Sequence, residues 1–225
     1  MTTTHSSAST STVADLVRTY PAAVRILQQH GIDFCCGGKR PLTEACAAAG
    51  VTTDALLDEV VRAGTTEAVD WSALPLAALC STIVARFHAP LAGELARLQA
   101  MAERVLLVHG HKDPERLEGL VQTLDALVDE LLPHLAQEEV NLFAAIQAGQ
   151  LVPAAVQVPS LEHEHEAVGG ILHRLRHLTD GFVPPPGACG TWRALYQGLG
   201  ELEIETHEHI HVENNVLFPA LLKAA

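Results

Sequence analysis

Along the second half of the chain the apolar residues recur at alternating intervals of three and four, the spacing of one buried face of an α-helix. Four segments carry such a stripe. The first runs Val84, His88, Leu91, Leu95, Leu98, Ala102 and Val105, and the second Leu117, Leu120, Leu124, Leu127, Leu131, His134, Glu138, Asn141 and Ala145. The third runs Val158, Leu161, His165, Val168, Leu172 and Leu175, and the fourth Leu195, Leu199, Leu202, Thr206, His209, Glu213, Val216 and Ala220. The spacing predicts long helices over about 74–108, 113–148 and 154–179, and from 191 almost to the C-terminus. Short connections make them antiparallel neighbours, an all-α, up-down-up-down four-helix bundle.

Breaker residues support these limits. Asp113-Pro114 has an N-cap and first-turn signature, Thr191 is expected to cap the fourth helix, and Pro133 predicts a kink one residue before His134. Upstream, shorter helical stretches are predicted over 13–20, 21–30, 42–49 and 53–62, with Pro21 in a first turn and Gly31 at a C′ cap. Residues 1–12 read as a disordered tail, 13–64 as a small helical unit, 65–73 as a linker and 74–225 as the bundle. A unit of roughly fifty residues buries only a marginal core, so it is expected to lean on the bundle or on a partner.

The stripes contain residues that a core does not ordinarily accept. Each helix places one histidine on its buried face, and two add a glutamate one turn later. A lone stripe histidine is usually a satisfied core residue, but an ionised carboxylate is almost never buried without a partner or a metal. Measured at about 1.5 Å per residue, His88, His134, Glu138, His165, His209 and Glu213 all lie roughly 15–23 Å from the same end of the bundle. Four imidazoles and two carboxylates therefore share one layer. Imidazole suits zinc, copper, iron and nickel, whereas bridging carboxylates favour a pair of harder ions. Two bridging glutamates leave two histidines for each metal, which reads as a carboxylate-bridged, non-haem site for two iron ions. Zinc or manganese could substitute in vitro.

Composition narrows the partners. The formal charge of −13 argues against nucleic acid and anionic membrane, both of which need basic patches. No uninterrupted apolar run approaches ~18–20 residues, so no membrane span is expected, and the Thr/Ser-rich N-terminus has no apolar signal segment. Five cysteines, an odd number, fit a reducing cytoplasm better than a disulfide scaffold. The sequence leaves open whether the chain forms a homodimer.

Cys35 and Cys36, followed by Gly37 and Gly38, invite a chemical interpretation. The glycines permit backbone angles closed to other residues, which would hold both sulfurs exposed on a turn. Such thiols could bind soft metal, pass iron, exchange disulfides or sense oxidants. Free cysteine also serves as a small buried hydrophobe. Other motifs compete less well. His207-Glu208-His209-Ile210-His211 matches the zinc-protease pattern, but His207 and His211 lie off the stripe. Glu162-x-x-His165 and Glu208-x-x-His211 imitate ferritin-like pairs, again off the stripe. His109 is expected at the far end of the bundle, where a helix C-terminus favours a positive imidazole. His5, His30, His111, His163, His173, His177, His207 and His211 are read as solvated or rim residues, His163 and His211 with some claim to a place beside the ligands.

These residues resemble a known family. Residues 85–222 look like a hemerythrin-like domain, through Arg86-Phe87-His88, Val108-His109-Gly110, His134 to Glu139, Glu164 to Gly169, and His209 to Pro219. Residues 13–64 resemble the short cysteine-bearing domain preceding it in the iron–sulfur cluster repair di-iron (RIC) proteins, through Asp33 to Gly38 and Glu44-Ala45-Cys46. The resemblance implies iron ligands at His88, His134, Glu138, His165, His209 and Glu213. It departs at Asn141, where relatives often carry an apolar residue. It also implies repair of clusters damaged by nitrosative or oxidative stress (nitric oxide or peroxide), by supply of iron, with damaged iron–sulfur proteins as partners. Two alternatives remain open: a sensor or store that binds O2 or NO, and an enzyme reducing NO or peroxide.

Overall fold

The computed structural model describes residues 11–20, 22–63 and 71–225. Pro21, most of the expected tail and most of the expected linker lie outside the described residues. Four short helices come first: α1 (Val13–Thr19), α2 (Ala23–Gln29), α3 (Leu42–Ala48) and α4 (Thr53–Ala63). A capping box between Thr12 and Asp15 starts α1. Gly31 (φ 66°) closes α2, where its N–H donates to the Gln28 carbonyl.

Four long helices follow, three of them interrupted by a π-helical turn. α5 (Leu76–His109) contains Val84–His88 in π form. α6 spans 114–147, with Glu138–Phe143 in π form. A short α7 (Leu151–Ala155) leads into α8 (Val158–Leu178), which has no π turn. α9 spans 190–224, with Glu213–Leu217 in π form. The expected third helix thus begins later, because Pro159 belongs to a new first turn. Cys189, not Thr191, holds the N-cap position of α9. α5 packs on α6 and α9, and α8 packs on the same two, which closes the up-down-up-down bundle. By length and composition α5 could cross a membrane; here it forms one wall of the bundle.

The π turns displace the buried stripe. One extra residue per turn rotates everything beyond it by about 100°. Past Glu138 the buried residues are therefore Leu142, Phe143 and Ile146, and Asn141 is exposed. Past Glu213 they are Leu217 and Leu221 in place of Val216 and Ala220, and ahead of His88 Ile83 replaces Val84. Asn141 thus has no place beside the site. In α5 and α9 a proline lies two residues beyond the π turn, at Pro90 and Pro219. Each lacks the N–H that the carbonyl four residues earlier would use, and the ladder shifts instead: Ala89 N–H donates to Val84 O, and Phe218 N–H to Glu213 O. Nothing comparable explains the π turn of α6.

The small unit shares its core with the bundle: Leu16, Leu27, Phe34 and Leu42 belong to the same apolar cluster as Leu98, Leu124 and Leu199. Polar ties reinforce the seam. Lys39 pairs with Glu162 at 2.8 Å, and buried Glu203 accepts from both Arg176 and Gln28. A second apolar cluster, including Leu79, Ile83, Phe143, Leu161 and Leu221, closes the other end of the bundle.

Candidate metal centre

Between these two apolar clusters lie His88, His134, Glu138, His165, His209 and Glu213, all buried. Their donor atoms form two groups. His88, Glu138, His209 and Glu213 make one, and His134, Glu138, His165 and Glu213 the other, each within 4.8 Å. Nε2 of His88 faces Nε2 of His209 at 3.0 Å, and Nε2 of His134 faces Nε2 of His165 at 3.0 Å. Each glutamate divides its two oxygens between the groups. Glu138 Oε2 lies 3.7 Å from His88 and Oε1 3.5 Å from His134; Glu213 Oε1 lies 3.0 Å from His209 and Oε2 3.3 Å from His165.

Outer contacts set the tautomers. Nδ1–H of His88 donates to Glu139 at 3.0 Å, that of His134 to Glu164 at 2.7 Å, and that of His165 to Asn214 Oδ1 at 2.8 Å. With the proton on Nδ1, each Nε2 presents a lone pair inward. Two such lone pairs 3.0 Å apart repel unless a cation lies between them. Both oxygens of Glu138 and Oε2 of Glu213 are buried without a hydrogen-bond partner among the described residues. Unpaired buried carboxylate oxygens cost several kcal/mol unless they are protonated or coordinated. The donor set therefore fits a pair of metal ions.

Charges within the layer are unequal. Burial, then the nearby charge of Glu213, pushes the Glu138 carboxyl well above the ordinary range. Burial acts on Glu213 in the same sense but is outweighed by the surrounding imidazoles, His209 first, so Glu213 is held well below it. Burial lowers His134 and His209, favouring the neutral form that coordinates. Phe87 and Phe218 stack on the rings of His209 and His165, and Phe143 on that of His88, at centroid distances of 5.1, 5.8 and 5.6 Å. These rings fix the imidazole planes and keep water out.

Of the two cysteines, Cys35 is buried and Cys36 half-buried, so the expected turn with both sulfurs exposed is wrong for Cys35. Neither Gly37 nor Gly38 has positive φ. They are required for space: a Cβ on Gly37 would lie 3.0 Å from Asp33, and one on Gly38 2.5 Å from Asn215 Oδ1. The loop is moored to α9 by His211, Asn214 and Asn215. His211 Nδ1–H donates to Phe34 O (3.0 Å), Asn215 Nδ2 to Cys35 O (2.9 Å) and Asn214 Nδ2 to Cys36 Sγ (3.9 Å). His211 is thus a buried anchor rather than a rim residue.

The other histidines lie apart from the layer. His163 is exposed beside Glu166, and Glu162 and Glu208 face Lys39 and Arg86. His109 stacks on Trp192 with Nε2 3.3 Å from Cys189 Sγ, far from the six. Sequence reasoning missed Glu139, Glu164 and Asn214 as partners of the imidazoles. Each sits one residue from a donor, which was the available signal.

Comparison with known proteins gives a consistent picture. Residues 81–221 match the family model for the hemerythrin HHE cation-binding domain, and residues 9–63 match a domain of unknown function, DUF542. The chain is 42% identical over 205 residues to proteins named "Iron-sulfur cluster repair protein YtfE" from Yersinia pseudotuberculosis serotype IB (strain PB1/+) and Yersinia pestis (strain Pestoides F). The match covers 90% of this chain and 92% of each relative.

Proposed function

The chain belongs to the hemerythrin HHE cation-binding family, in the branch of the iron–sulfur cluster repair proteins, and on that premise we propose that it repairs damaged iron–sulfur clusters by donating iron. The six layer residues would hold two iron ions, His88 and His209 serving one, His134 and His165 the other, and Glu138 and Glu213 available to both. The observation that carries this is the pair of glutamates, each with one oxygen in either group and buried oxygens lacking any other partner. Bound there, iron is cargo. Four protein donors per ion leave coordination positions open, which favours release over permanent retention.

The chain's own groups set the terms of release. Glu139, Glu164 and Asn214 orient three imidazoles, and Phe87 stacks on that of His209. Cys35 and Cys36 act as transfer thiols at the seam with the small unit, and both are free. The open positions also favour a second function, binding of O2 or NO.

The deciding experiment incubates the protein, loaded with isotopically labelled iron, with a [4Fe–4S] enzyme damaged by NO. Recovery of activity with labelled iron in the rebuilt cluster is expected. Recovery without label would refute donation, and reversible NO binding with no recovery would favour the second function.

A further inference from the structure

A cavity of about 380 Å³ opens at the seam between the small unit and the bundle. Asp33, Cys35 and Cys36 line one side of it, and Glu166, His173 and His207 the other. We propose that Asp33, Cys35 and Cys36 form an open site for a divalent cation of borderline to soft character, facing this cavity. Its use as a point of passage for iron rests on the repair function above; its existence does not.

The spacing is that of a chelate. The two Sγ atoms lie 3.8 Å apart, and the edge of a tetrahedron with metal–sulfur bonds of ~2.3 Å is about 3.8 Å. Asp33 Oδ1 lies 3.2 Å from Cys35 Sγ, and all three donors fall within 4.8 Å of one another. The carboxylate is held in place by the backbone: Oδ1 accepts from the N–H of Cys35 and Cys36, and Oδ2 from that of Gly37. Three protein donors with free space beyond them leave the fourth position to an incoming ligand, which distinguishes an exchange site from a closed structural one.

Asn214 joins this site to the bundle. Its Oδ1 accepts from Nδ1–H of His165, and its Nδ2 donates to Cys36 Sγ. One amide thus separates the thiols from the dinuclear layer. Loading is a substitution without change of oxidation state: the cation binds, two thiol protons leave, and two metal–sulfur bonds form. Delivery is the reverse, with thiolates of an acceptor displacing those of the loop, so no oxidant or reductant enters.

The test uses the full chain with its dinuclear layer filled by iron, thiols reduced and air excluded, titrated with cobalt(II). One further equivalent is expected, with a near-ultraviolet thiolate-to-cobalt absorption. Cys36→Ser, at the half-buried position, should abolish that absorption while leaving bundle iron and helical content unchanged. Asp33→Asn should weaken cobalt binding at least tenfold. No sulfur absorption in the wild type, or undiminished absorption in Cys36→Ser, overturns the site whatever the repair assay reads. A site lost in Cys36→Ser with repair at the wild-type rate overturns passage and leaves the site standing.

Discussion

Gly38→Ala tests how closely the cysteine loop must approach α9, the helix that carries His209 and Glu213. The added Cβ would meet Asn215 Oδ1 at 2.5 Å and the Phe34 carbonyl oxygen at 2.8 Å. The second is backbone, so the loop has to lift from α9. Lifting breaks the hydrogen bond from Asn215 to Cys35 O (2.9 Å) and strands His211 Nδ1–H, which donates to Phe34 O at 3.0 Å. The first loss costs about 1 kcal/mol and a stranded buried donor about 1–3 kcal/mol, roughly 2–4 kcal/mol together. For a chain of this size the melting temperature should fall by roughly 5–12 °C. Urea unfolding of the metal-stripped variant gives the magnitude. Alkylation of Cys35, buried in the wild type, reports whether the loop has moved. A wild-type midpoint with Cys35 still protected would refute the close approach.

On the same seam Gly169 has nothing within 4 Å of an added Cβ and sits inside α8, so Gly169→Ala should stabilise by about 0.5–1 kcal/mol, read from the urea midpoint. Glu138→Leu removes a carboxylate that serves both donor groups; iron should fall to one ion per chain or fewer, whereas exposed His163→Ala should leave it unchanged, as metal analysis would report. Burial lowers His211 below the ordinary histidine value of about 6.5, so the unfolded chain takes up that proton first. The advantage of the wild type over His211→Gln should therefore be full above about pH 6.5 and shrink by up to ~1.4 kcal/mol per pH unit below it. An unchanged difference in unfolding free energy between pH 7.5 and 5 would count against this. Hydrogen bonding from Cys35 lowers the Cys36 thiol, while burial lifts Cys80 to about 12. Peptide mapping after brief alkylation at pH 8 should find Cys36 modified and Cys80 untouched.

The four-helix architecture was legible because apolar spacing needs only the regular α-helical period. The six donor residues were legible for a narrower reason: in α5, α6 and α9 each lies at the edge of its π turn or one turn outside it, where the ordinary phase still holds. Beyond those turns the same counting named Val84, Asn141 and Val216, while the structure buries Ile83, Leu142 and Leu217. A π turn adds a residue without altering composition, and only the prolines at 90 and 219 hinted at it. The cysteine loop was misjudged differently. Paired glycines in a sequence suggest unusual backbone angles, whereas Gly37 and Gly38 supply only missing volume. Burial of Cys35 and His211 arises from contact between segments about 175 residues apart in sequence, which no local pattern records.

The segment His209 to Asn215 has a consequence for how this protein can be recombined. Its residues alternate in allegiance: His209 and Glu213 turn inward, while His211, Asn214 and Asn215 grip the cysteine loop. The small unit is therefore not a detachable module, because half of its socket is written into the helix that carries His209 and Glu213. A cysteine unit grafted onto another bundle of this family would dock only if the host already spelled His, Asn and Asn at those three places. A bundle stripped of its unit would expose the back of its own α9. Exchange of parts between relatives must respect a boundary that runs along one helical turn, not the one between the two halves of the chain.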